Sequence, residues 1–126
     1  MSKRSQEAKA AFILEQIDRI EKIIERHDGI VKALEDFEGE MAIFMGISQI
    51  GESFSKFDEI YIERFGLIEE RKGSYYTRNY IVHDYENVDR LIIEDILRTH
   101  LPKLKEKIKD LYEYLSMENE HRRKSK

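Results

Sequence analysis

The 126-residue chain contains no cysteine, which excludes disulfides, thiolate zinc sites and a cysteine nucleophile together. It has one proline and six glycines, and nowhere do β-branched residues alternate over the length of a strand. Helices must therefore carry the structure, and the expected class is all-α. No stretch of about 18 apolar residues is present, the least that a membrane-crossing helix needs. The start, Met1-Ser2-Lys3-Arg4-Ser5, leads into a charged amphipathic segment rather than the apolar core of an export signal. The expectation is a cytoplasmic protein without a membrane span.

Positive charge is scarce in the body of the chain. Net charge is -4, but six of the 22 basic residues (Lys3, Arg4, Arg122, Arg123, Lys124 and Lys126) sit in end segments without acids, leaving 16 basic against 26 acidic residues. That is a poor electrostatic footprint for broad nucleic-acid binding, so any such contact must be local. The basic C-terminal residues read either as a solvated terminus or as a hold on RNA.

What the chain does have is helical periodicity. Ile13, Ile17, Ile20 and Ile24 recur at steps of four, three and four, predicting a first helix over about Gln6–His27 that Asp28-Gly29 stops. A short helix around Ile30, Val31 and Leu34 follows. A longer one runs from about Gly39 to Phe57, in which Gly46 and Gly51 mark the close approach of another helix, since glycine there otherwise costs about 1 kcal/mol. Asp58–Leu67 reads as a short helix and Glu69–Ser74 as a polar loop, with Ser74 capping the helix after it. A last long segment begins near Asn87, with a kink or restart expected around Thr99–Pro102. The predicted organisation is one helical domain over residues 1–115 and a charged, flexible tail over 116–126.

The helix after the loop carries Arg78-Asn79-Tyr80-Ile81-Val82-His83-Asp84-Tyr85. Arginine binds phosphate as a bidentate donor, histidine moves protons near neutral pH, and the phenol adds a modifiable oxygen. On a helix Arg78 and Tyr85 share one side, Asn79 and His83 are neighbours able to orient one another, and Arg78 and His83 stand about 140° apart. Metal-free RNA cleavage needs a base for the 2′-hydroxyl, an acid for the leaving 5′-oxygen and a cation for the phosphorus centre. One histidine cannot be acid and base at once, so the motif predicts two copies meeting across a two-fold axis. Residue types alone leave another reading open, in which Arg78 pairs with a nearby acid and His83 and Tyr85 are ordinary surface or core-edge residues.

The spacing of arginine, four residues, histidine, one residue and tyrosine resembles the HEPN superfamily and, within it, the HepT-like toxins. Ile50-Gly51-Glu52-Ser53 is similar to the isoleucine-glycine-glutamate-alanine element of that branch, and Val88-Asp89 and Leu101-Pro102 also match, so the resemblance extends from about Phe12 to Ile108. It implies an antiparallel helical bundle dimerising through the motif helix, and a metal-independent ribonuclease toxin of a type VII-like toxin-antitoxin module. By the same resemblance Arg78 and His83 are catalytic, Asn79, Asp84 and Glu52 supporting, and no metal or cofactor takes part. Glu52 reads first as an ion-pair partner and second as a positioner of Arg78. The implied partners are RNA, further copies of the chain as a homodimer or higher oligomer, and a nucleotidyltransferase antitoxin that adds AMP to the motif tyrosine, here Tyr85.

The chain departs from the family in Glu69–Thr77, which lacks the proline-tryptophan pair that many relatives carry. His27, His100 and His121 have no metal-like spacing and read as surface or helix-end residues. Two other classes of function remain as alternatives: a non-catalytic helical module that partners a nucleotidyltransferase, and a structural four-helix adaptor.

Overall fold

Ile13, Ile17 and Ile20 are buried along a single stripe of α1 (Lys3–Arg26), as their spacing requires. The computed structural model describes residues 3–124, and no strand occurs among them. The side chains of Lys3 and Arg4, and all of Lys126, lie outside the described residues. Asp28 and Gly29 stop α1 with positive φ angles of 62° and 130°. His27 lies at this helix end, one ring nitrogen 2.8 Å from the Ile23 carbonyl and the other 3.2 Å from Asp36.

Asp36 separates α2 (Ile30–Glu35) from α3 (Phe37–Phe54) and caps the latter by accepting from the Gly39 N–H at 2.9 Å. That hydrogen bond, helped by His27, holds the Asp36 carboxyl below its ordinary range despite an opposing desolvation. α4 (Glu59–Arg64) is a short connection between α3 and α5. α5 covers Ile68–His83, so the expected polar loop over Glu69–Ser74 is instead helix. Ion pairs from Arg71 to Glu59 (2.6 Å) and from Glu70 to Lys107 (2.7 Å) tie these turns to α4 and α7. Such partners, distant in sequence, are invisible to local propensity.

After α5 a 3-10 turn (Tyr85–Asn87) leads to α6 (Arg90–Asp95), a π turn (Ile96–His100) and α7 (Leu101–Lys124). The π turn falls where a kink or restart is expected. Pro102 has no N–H and its ring crowds the carbonyl four residues back. The turn before it widens so that the Leu101 N–H reaches the Ile96 carbonyl.

Leu101, Leu104, Ile108, Leu111 and Leu115 form the buried stripe of α7. The helix then continues to Lys124, so residues 116–124 of the expected tail are helical; residues 125 and 126 lie outside the described residues. The reason is polar rather than apolar. Ser116 Oγ donates to Glu7 at 2.9 Å, and the Asn119 amide donates to the same carboxylate at 2.6 Å while 5% exposed. Asn119→Ala is expected to cost about 1–2 kcal/mol and to speed amide exchange over residues 116–124 without affecting the centre of the bundle.

The long helices form an antiparallel bundle in the order α5, α3, α1, α7. α3 packs on both α1 and α5, and α1 also packs on α7. Direction follows from contacts: Gly46 of α3 abuts Ile20 of α1, Lys105 of α7 reaches Glu21 of α1, and Phe44 and Gly51 of α3 meet Tyr85 and Arg78 respectively. The remaining side, between α5 and α7, is bridged by Lys107 and Glu70 but holds a groove of about 620 Å³, floored by Ile47, Ile50, Ile96, Leu101 and Leu104.

Candidate active site

Gly51 decides where the motif helix lies. A Cβ there would stand 2.5 Å from the Ser74 carbonyl oxygen and 2.7 Å from the Arg78 Cβ, so only a bare backbone lets α5 approach α3 this closely. The next residue, Glu52, thereby comes within 3.5 Å of Arg78 Nε. Arg78 Nη1 donates to Asn79 Oδ1 at 2.7 Å, and the guanidinium carbon lies 5.7 Å from the centre of the Tyr75 ring, one turn earlier on α5.

The guanidinium is thus held by a carboxylate, an amide oxygen and an aromatic ring while its side chain remains 28% exposed. Nε and Nη1 are engaged, and the Nη2 edge is left for an outside oxygen. Glu52 also faces Lys56 at 3.5 Å, so it is an ion-pair partner, the first of the two roles its sequence context suggests.

His83 ends α5, exposed to solvent and without a hydrogen bond or ion pair among the described residues. It lies five residues beyond Arg78, or about 7.5 Å along the axis and 140° around it. The two side chains therefore leave α5 on different sides. The expected pairing of Asn79 with His83 is replaced by the hydrogen bond from Arg78, because the guanidinium, pinned against α3 by Glu52, lies within reach of Oδ1.

Asp84 has left helical backbone (φ -142°, ψ 39°), and its carboxylate accepts from the Asn87 amide at 2.9 Å. It shapes the exit turn and is joined to neither Arg78 nor His83. Tyr85 therefore does not continue the Arg78 side of the helix, as an unbroken helix would require. It sits in the 3-10 turn with its ring edge-on to Phe44 at 5.5 Å and is 44% exposed. The Tyr80 hydroxyl, accepting from the Asp89 N–H at 2.7 Å, anchors the returning chain.

Sequence reasoning missed Tyr75, Tyr80 and Phe44. Tyr75 was findable from its spacing of three before Arg78. The Tyr80–Asp89 and Phe44–Tyr85 contacts depend on how the chain turns and had no local signal.

No group of three or more His, Asp or Glu side chains suited to a metal ion occurs among the described residues. None of the described helices is long and apolar enough to cross a membrane. Comparison with curated proteins and with solved structures finds no match. The sequence model of the HepT-like ribonucleases, in contrast, matches residues 13–111, a span that includes α3, the Gly51 contact and the whole motif. With an all-helical bundle presenting Arg78 and His83 on one helix, the chain belongs to the HepT-like ribonuclease family.

Proposed function

We propose that the protein is a metal-independent endoribonuclease toxin acting as a dimer, with Arg78 and His83 of both copies lining a shared cleft. The observation that carries this reading is the held guanidinium with one open edge, followed on the same helix by an unpartnered imidazole. Arg78 binds the scissile phosphate through Nη2, while Glu52, Asn79 and Tyr75 fix its orientation and so reduce the entropy lost on binding.

One His83 removes the 2′-hydroxyl proton as O2′ attacks phosphorus. The P–O5′ bond breaks, the second His83 protonates the departing oxygen, and the products are a 2′,3′-cyclic phosphate and a 5′-hydroxyl. The two-fold arrangement supplies acid and base from one residue type. Its support is an apolar row on α3, Phe37, Met41 and Met45, which leads toward Glu52, together with Val82 on the motif helix. All four are exposed in the single chain. Cleavage of labelled RNA in excess EDTA with cyclic phosphate ends is the expected result. Folded protein that cleaves no RNA, or cleavage that EDTA stops, counts against the reading.

A nucleotidyltransferase antitoxin neutralises the toxin at Tyr85. The phenol oxygen attacks the α-phosphorus of ATP, pyrophosphate leaves, and the phenolic proton passes to a base of the transferase. AMP placed two residues beyond His83 puts negative charge and bulk at the cleft, where RNA must enter. Incubation with the cognate transferase and ATP is expected to add one AMP to the peptide holding Tyr85 and none to Tyr85→Phe. Addition at another residue removes Tyr85 from the scheme.

A further inference from the structure

An acidic chain that cleaves RNA needs contacts that do not depend on phosphate charge, and the α5/α7 groove offers them. The groove, floored by isoleucine and leucine, is about 620 Å³ in volume, within the size range of small-ligand sites. Its rim carries Tyr76, 74% exposed, with Lys72 and His100. Glu70, also at the rim, is already paired with Lys107, and His100 lies 3.4 Å from Asp95. Lys72 has no ion pair among the described residues, and Glu69, three residues before it on α5, is a further acid lining the groove.

We infer that this groove is a subsite for an unpaired nucleobase of the RNA, with Tyr76 as the stacking ring and Lys72 as the contact to the adjoining phosphate. The inference rests on the ribonuclease reading above. Tyr76 and Thr77 line the groove, whereas Arg78, two residues after Tyr76 and so about 160° round α5 from it, lies against Gly51. Groove and guanidinium are therefore on different sides of one helix about 10–12 Å across, and RNA passing over its outer face spans about half the circumference, a few nucleotides of extended chain. Single-stranded RNA is recognised by splaying bases onto aromatic and apolar surfaces beside basic contacts to the backbone, the parts that Tyr76 and Lys72 supply here. The groove thus selects flexible, unpaired sequence beside the cut.

The test uses the full chain and an RNA oligonucleotide that it cleaves, with single abasic nucleotides placed at successive positions around the cut. Tyr76→Ala is expected to raise KM roughly ten- to hundred-fold at unchanged kcat, and Tyr76→Phe, which keeps the ring, to restore it. One abasic position should produce the same rise in the parent protein and no further rise in Tyr76→Ala. Cleavage by the parent with KM indifferent to Tyr76→Ala, or abasic losses that add fully to it, overturns the subsite and leaves the ribonuclease standing. Failure of the parent to cleave any RNA removes both.

Discussion

His83→Ala is expected to slow RNA cleavage by at least about 10²–10⁴-fold, the usual contribution of one general acid or base, because in the dimer the substitution removes both, while stability changes by less than about 0.5 kcal/mol. The two halves of this expectation have one cause. His83 is exposed and makes no hydrogen bond or ion pair among the described residues, so its loss leaves no cavity and no orphaned partner. The check is single-turnover cleavage of labelled RNA in EDTA beside a urea melt of both proteins. Cleavage that persists in the variant removes His83 from the chemistry. Arg78→Ala differs in kind, because it frees Asn79 Oδ1 and leaves Glu52 with Lys56 alone. A loss of activity there has to be read beside its own melt.

Gly51→Ala has the second large effect, and Gly73→Ala is its control. The added methyl at position 51 meets the Ser74 carbonyl and the Arg78 Cβ, both inside ordinary contact distance. Neither can yield without moving α5. Overpacking of this kind costs about 1–3 kcal/mol, of which the better helix propensity of alanine returns at most about 1. Arg78 is carried away from Glu52 by the same movement, and an ångström of misplacement can cost about 10²-fold in rate. At Gly73, in the middle of α5, a Cβ meets nothing within 4 Å. Gly73→Ala is therefore expected to gain about 0.5–1 kcal/mol. Urea midpoints moving in opposite directions, with cleavage lost only in Gly51→Ala, is the expected pattern. A Gly51→Ala protein as stable and active as the parent contradicts the close α3/α5 crossing.

Much of this is legible in the sequence alone. The isoleucine steps of α1 and the leucine steps of α7 report burial directly, because a helix returns to the same face every three or four residues. Gly46 and Gly51 announce close approach because glycine inside a helix is costly unless something needs the space. Pro102 marks the π turn because it cannot donate a hydrogen bond. The Glu69–Ser74 stretch reads as a loop yet is helix, because that helix rests on Glu59 and Lys107, far away in sequence. The final turns of α7 have no helical signature in the sequence because glutamate, serine and asparagine hold them, and these leave no apolar rhythm.

By itself, then, the sequence determined an all-helical chain without thiol chemistry, the periodic core, and the arginine, histidine and tyrosine available for RNA chemistry, since each follows from residue type and local spacing. Only the tertiary structure decided that Asn79 serves Arg78 rather than His83, that Asp84 turns Tyr85 off the helix toward Phe44, and that α5 and α7 leave a groove between them. These depend on which helix stands beside which and how closely, a matter of packing between segments distant in the chain that local spacing does not encode.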